Sequence, residues 1–275
     1  MFTAELICFG NELLIGKTVN TNANWLGKRL ITLAGKLLRI TTIGDKLEDM
    51  VQVIREALER KPDVLITTGG LGTTFDDLTH TAIAKAMNVE LVLNEDALKL
   101  ISERLNFLKK NRNIDLTLTE ERKRMALFPE GGIPLPNRAG SAPGVFVECQ
   151  KTKIFSLPGV PVEMKSIFDS EIVKYLPKDS SRSYHEKSLI VNNVPESELA
   201  KQISVVREKY PRVYFKTHPQ SSSTSKKGII EVEIHLTMVG SKDEAKLLKE
   251  IARELQELIM QMKGVQNKEP KITIK

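Results

Sequence analysis

The stretch TTGGLGTTFDD, residues 67–77, joins two chemistries that oppose each other. Gly69, Gly70 and Gly72 allow positive φ and close backbone approach, so that successive N–H groups can turn toward one anion. Asp76 and Asp77 then place two carboxylates where they would repel that anion. Two arrangements reconcile the halves. A hard divalent cation held by the carboxylates can bridge to phosphate oxygens. Alternatively, a carboxylate accepts hydrogen bonds from ribose hydroxyls or a pterin ring while phosphate lies on the amides. The loop is neither a Walker A sequence, since no Gly-Lys-Ser/Thr follows, nor GxGxxG. The plain structural alternative is that one aspartate only caps the helix over residues 79–87.

Other residues fall where they could join this chemistry. Asp45 follows the apolar run ending at Ile43, and Glu12 follows the run Ala4–Phe9; each is a candidate metal ligand or base, and Glu12 is equally a turn cap. Asn20 reads as a helix cap whose amide could also touch a ligand. Thr68 ends a strand and could bind phosphate, although β-branched residues are ordinary there. Gly140 and Ser141 begin a second amide-rich loop, whose bland reading is a turn into GVFVEC. Gly159 precedes a helix that Pro161 starts, and Glu163 in its first turn favours the helix dipole. Lys165 could meet phosphate or stay solvated. His80, His185, His218 and His235 have no ligand spacing and read as non-catalytic.

The elements that must hold these groups follow from periodicity. Ala4–Phe9, Leu37–Ile43 and Asp63–Thr68 read as strands, the first and last buried. Helical spacing runs from Trp25 to Leu33 with Gly35 as C-cap, from Leu47 to Leu58, and through Ile83 to Met87. Such alternation predicts a three-layer, doubly wound, mostly parallel sheet with helices on both faces. Ligands bind such sheets outside the carboxyl ends of the strands, where Gly10, Asp45 and Gly69 all fall. Residues 95–127 read as helical, IPLPNRAGSAPGV as irregular, and GVFVEC with KIFSLPG as a hairpin. The helix from Pro161 is expected to run to Pro177.

Composition shifts near residue 178, at the polar KDSSRSYHEKS. Domains are therefore expected over residues 1–177 and 178–275. The second reads strand (KSLIVNNV), helix (ESELAKQISVVREKY), strand (RVYFK), polar loop (QSSSTSKKG), strand (IIEVEIHLTMV) and helix, a small α+β unit, with a lysine-rich tail after Gly264 expected to fray. The 275 residues are 41% hydrophobic and carry a formal charge of +6, spread along the chain. That mild excess suits small anionic ligands and gives no support for nucleic acid. Cys8 and Cys149 read as buried reduced thiols in a cytoplasmic protein; no signal peptide or membrane span is expected.

Six blocks converge in order: GNELLIG (10–16), VNTNANWL (19–26), TTIGD (41–45), TTGGLGTTFDDLT (67–79), LPNRAGSAPGV (135–145) and LPGVPVEMKSIF (157–168). Together they resemble the N-terminal domain of CinA-like proteins and, more broadly, are similar to the molybdopterin-binding MoaB/Mog fold. TTGG with an aspartate before Leu-Thr is the broader mark and lands on Asp77; TGGLG followed by Asp-Asp marks the CinA-like branch. Thr73 stands where that branch usually has proline, which softens the turn.

The resemblance implies a phosphorylated, nucleotide-like or pterin ligand, bound by Thr68, Gly69, Gly70, Gly72, Asn20, Gly140, Ser141 and Gly159. It implies an ADP-ribose pyrophosphatase using magnesium, manganese or cobalt at Asp45, Asp76, Asp77 and Glu12, with the three aspartates catalytic. The alternatives are a molybdopterin carrier or adenylyl transferase of molybdenum-cofactor biosynthesis, and a non-catalytic regulator. A homodimer is implied by analogy, and the small domain looks KH-like or ferredoxin-like but lacks the GXXG loop of RNA-binding KH domains. The nicotinamide-nucleotide amidohydrolase domain of full-length CinA proteins is not expected in this chain.

Overall fold

The structure is a computed structural model; it describes residues 1–112, 117–177, 181–219, 230–241, 243–264 and 268–275. The chain divides into two compact units, one of Met1–Ile31 and Gly35–Lys178, the other of Thr32–Ala34 and Asp179–Lys275.

In the first unit β1 (Phe2–Phe9), β2 (Gly35–Ile43), β3 (Val64–Thr68), β6 (Ile133–Leu135), β7 (Gly144–Cys149) and β8 (Thr152–Leu157) form one sheet in the order β2-β1-β3-β8-β7-β6. The first four strands are parallel, and β7 and β6 are antiparallel to their neighbours. β1 and β3 are central and read as continuous apolar runs because both faces are covered. Glu5 on β1 is the exception: it is 2% exposed, and Arg60 neutralises it with two hydrogen bonds of 2.8 and 2.7 Å. On one face Ile7, Phe9, Leu65 and Ile154 pack against Met50 and Ile54 of α3 (Leu47–Glu59) and Ile83 of α4 (Thr79–Met87). The alternate residues Phe146 and Phe155 point to the other face, where Tyr175 covers them. Trp25 of α2 (Thr21–Thr32) meets Phe168 edge-on at 5.5 Å, tying α2 to the segment after α7 (Pro161–Ile167).

The chain leaves β1 through α2 to β2, then returns through α3 across β1 to β3. Strand order reverses there, so a crevice opens beyond the carboxyl ends of β1 and β3. A short helix, α1 (Asn11–Leu14), follows β1 at that rim. Beside it, α5 (Glu95–Arg112), α6 (Glu120–Arg124) and the two-stranded sheet of β4 (Leu91–Leu93) and β5 (Leu127–Pro129) enclose a separate cluster containing Leu71, Met125, Phe128 and Ala142.

The second unit runs β9 (Ser183–Asn192), α8 (Glu196–Lys209), β10 (Tyr214–Pro219), β11 (Glu231–Gly240), α9 (Glu244–Met260) and β12 (Lys271–Ile274). Its strands lie in the order β10-β11-β9-β12, all antiparallel. That is the ferredoxin-like split βαβ arrangement. Val232, Ile234, Leu236 and Met238 alternate into the core against Leu248, Ile251 and Leu255 of α9.

Several expectations need correction. Ala34, at φ 59°, takes the left-handed position after α2; Gly35 already belongs to β2, where a Cβ would fall 2.6 Å from the Phe2 ring. The stretch 95–127 is not one helical run: residues 117–119 are irregular and Leu127 begins a strand. Residues 113–116 lie outside the described part. Ile133–Leu135 is a strand despite Pro134, because it is the sheet edge, where a missing N–H is tolerated. The helix from Pro161 becomes a π-helical turn at Phe168–Ile172 and a turn beyond. β9 begins inside the expected polar linker, and the tail returns as β12 on the edge of the second sheet. The QSSSTSKKG loop lies outside the described residues. No helix among the described residues is long and apolar enough to cross a membrane.

Candidate functional site

The glycine bend is built by close approach. Gly69 and Gly70 have φ of 98° and 67°. A Cβ on Gly69 would sit 2.6 Å from the Phe9 carbonyl oxygen, and one on Gly70 would collide with the Thr79 hydroxyl. The Gly69 N–H donates to the Leu157 carbonyl at 3.0 Å, fixing the bend to β8. Thr79 closes it from the other side, its hydroxyl donating to Gly69 O at 2.7 Å and its N–H to Gly70 O at 3.2 Å. Gly72 is needed for space, since a Cβ there would lie 2.7 Å from Asp77 Oδ2. The N–H groups of Gly70, Leu71, Gly72 and Thr73 make no hydrogen bond among the described residues. They are the amides left to a ligand; that of Gly69 is not.

These residues border a cavity of about 430 Å³, together with Gly10, Glu12, Asp45, Asp76, Asp77, Ser141, Gly159 and Glu163. Five acidic residues therefore line one space, and among the described residues no lysine, arginine or histidine lines it. Asp45 Oδ2 accepts the Asn11 N–H at 2.9 Å. Burial nevertheless pushes the Asp45 carboxyl above its ordinary value of 3.8, against that hydrogen bond and with help from the negative charges of Glu12, Asp76 and Asp77. Asp77 Oδ2 accepts from the Thr74 N–H at 2.7 Å and its hydroxyl at 2.6 Å, and Asp76 shares that hydroxyl. Neither caps α4 by side chain: its N-cap is Leu78. Among the described residues no three acidic, cysteine or histidine side chains converge as a ready metal cage. Two adjacent carboxylates beside free amides still suit magnesium, which keeps waters and completes its shell with substrate phosphate.

The remaining sequence candidates divide. Ser141 and Gly159 line the cavity, whereas Gly140 does not. Asn137 takes the Gly140 N–H at 2.8 Å, and the lack of a Cβ at Gly140 leaves room for Glu163. Asn137 also donates to Glu163 Oε2 at 2.6 Å and to Ala142 O at 2.8 Å, so it holds the Ser141–Ala142 wall. Asn20 does not line the cavity: its Oδ1 accepts the Ala23 N–H at 3.0 Å, and its amide reaches Thr42 Oγ1 at 3.4 Å. Thr68 is buried in β3 and does not line the cavity. Lys165 lies over the Trp25 ring, 5.8 Å from its centroid. Ala142, part of the expected second amide loop, lines the cavity; sequence reading missed Phe9, Leu71, Met125, Pro158 and Val160 as walls, and Asn22, whose amide donates to Gly159 O at 2.7 Å. The wall residues had only their position near a strand end as signal, and Asn22, inside α2, lacked even that.

Residues 5–178 match the family described as "Probable molybdopterin binding domain" (MoCF_biosynth). The chain belongs to this family. Two relatives span nearly its whole length: a protein of Sulfurisphaera tokodaii is 42% identical over 255 residues, 93% of each chain. A protein of Metallosphaera sedula is 42% identical over 260 residues, 94% of this chain and 93% of that one. The structure is similar to that of the protein CinA of Thermoplasma acidophilum, described as of unknown function. The TM-score is 0.57 at 34% identity, over 64% of this chain and 99% of that one. The MoCF_biosynth domain thus coincides with the unit that carries the cavity, and the CinA-like resemblance of its motifs extends to its fold.

Proposed function

We propose that the first unit binds a phosphorylated, nucleotide-type ligand together with a divalent cation and hydrolyses the pyrophosphate bond of ADP-ribose, giving AMP and ribose 5-phosphate. One observation carries the reading: residues bearing four unpaired amides and five acidic residues line one cavity that, among the described residues, has no basic side chain. A phosphate placed there without a counter-ion would meet net negative charge.

Asp76 and Asp77 would hold the cation with the phosphate oxygens; when bound, magnesium, manganese or cobalt supplies charge neutralisation and a more acidic water. The chain's own groups do the rest. The amides of Gly70–Thr73 donate to the phosphoryl oxygens as charge builds on them. Asp45, whose raised pKa makes it the stronger base, accepts a proton from the attacking water. Oxygen from that water bonds to phosphorus as the bridging P–O bond breaks.

The family description favours a second reading, in which the same cavity takes molybdopterin as carrier or adenylyl transferase. Purified protein incubated with ADP-ribose and each of the three cations separates them. AMP release supports hydrolysis. Absence of AMP with every cation, with tight molybdopterin binding, replaces it by the pterin reading.

A further inference from the structure

A groove of about 420 Å³ lies between α5 and the loop from Pro136 to Pro143. Among the described residues it shares only Ser141 with the main cavity. Its apolar walls are Leu100, Phe107, Pro136 and Pro143, and two guanidiniums, Arg104 and Arg138, stand among them. A largely apolar hollow of this size with a few charged groups has the form of a small-molecule site.

The cations are the first clue to its ligand. Arg104 is half-buried; its Nε donates to Gly140 O at 3.0 Å, and its two terminal nitrogens have no hydrogen-bond partner among the described residues. Arg138 is exposed and makes no hydrogen bond or ion pair among them. Glu103, the one acid that lines the groove among the described residues, pairs with neither. Two guanidiniums with open donors beside one hollow attract an anion, and their fork fits a carboxylate.

The ring is the second clue. Ile101 and Leu105 of α5 are buried, whereas Phe107 is 51% exposed. The Arg104 guanidinium lies over the Phe107 ring, 5.1 Å from its centroid. A ligand that meets both at once carries its anion beside an aromatic ring, which packs on Phe107. The Asn137 amide is not available to a nucleobase edge. Its Nδ2 donates to Ala142 O and Glu163 Oε2, and its Oδ1 accepts the Ala139 and Gly140 N–H groups.

We propose that this groove binds a small aromatic carboxylate, its ring against Phe107 and its carboxylate on Arg104 and Arg138. The site takes a bare anion without a cation, and it is independent of the reading of the main cavity.

The test is calorimetry on the full chain with 2-naphthoate, in magnesium and again in chelator. Saturable binding of equal affinity in both is expected. The uncharged 2-naphthamide should bind at least about tenfold more weakly, the loss of a charge-assisted hydrogen bond. Arg138→Gln and Phe107→Ala, both at exposed positions, should each weaken naphthoate binding about five- to tenfold with the thermal melt unchanged. AMP in chelator should not displace naphthoate. No saturable naphthoate binding, equal affinity for acid and amide, or wild-type affinity in both variants would overturn the site. Displacement by AMP in chelator would overturn the ligand class assigned to it.

Discussion

Replacing Asp77 by asparagine separates the two roles its position allows. Asp77 Oδ2 accepts from the Thr74 N–H at 2.7 Å and the Thr74 hydroxyl at 2.6 Å, so the carboxylate locks the turn as well as facing the cavity. Asparagine keeps a carbonyl oxygen for those donors and loses only the charge. A hydrogen bond to a charged group nets about 1.5–3 kcal/mol and a neutral one about 0.5–1.5. The loop lies at the surface, so the loss to stability is about 1 kcal/mol, or about 2–4 °C in Tm for a unit of this size. If the carboxylate helps hold the cation on phosphate, turnover instead falls about 10²–10³-fold. Release of AMP from ADP-ribose, read beside a thermal melt, gives both quantities. Asp77→Ala adds the loss of the Thr74 lock and should melt lower than Asp77→Asn with no further loss of turnover. Full turnover by Asp77→Asn would refute the reasoning and leave Asp77 a turn lock.

Asp45→Asn should stabilise the chain near neutral pH while abolishing turnover. The folded carboxyl is raised above 3.8, so its ionisation opposes folding at higher pH. In urea melts the gain should vanish below the ordinary aspartate pKa, where folded and unfolded carboxyls are both protonated. His80 has the opposite linkage: its folded pKa of about 4 lies below the ordinary 6.5, so the unfolded chain binds the extra proton between those values. About 3 kcal/mol of stability is therefore lost as pH falls from 6.5 to 4, and His80→Phe should remove that slope in urea melts across the same range. Arg60→Ala strands Glu5, 2% exposed on a central strand, as an unpaired buried charge. A loss of about 3–5 kcal/mol in denaturant unfolding is expected, and Arg60→Ala combined with Glu5→Gln should recover much of it.

The parts of the first unit readable from sequence were those that local chemistry decides. Val64–Thr68 is apolar at every position bar its threonines, and the glycines after it could serve only a bend. Asp45, Asp76, Asp77 and Glu12 were legible as acids at strand ends, because in a doubly wound sheet those ends share one rim. Their partners were not legible. That Asp77 binds Thr74 rather than capping α4 depends on the turn's path. That Glu163 faces the same cavity depends on Asn137, distant in sequence, holding it. Asn20 carries the same side chain whether it caps a helix or touches a ligand, and only its bond to the Ala23 N–H decides. Edge strands were the weakest signal: Ile133–Leu135 is three residues long and carries a proline, and Lys271–Ile274 is four residues long and opens on a lysine, both tolerated where one side of the strand is unpaired.

The central claim is that the amides of Gly70–Thr73 and the surrounding carboxylates accept phosphate only as a cation complex. Calorimetric titration of AMP with magnesium, and again with the cation removed by chelator, tests it most directly. Saturable binding with magnesium and at least about 100-fold weaker binding without it, roughly 2.7 kcal/mol, is the expected result. Equal affinity in the two titrations would mean that the carboxylates do not oppose the phosphate, and would contradict the account.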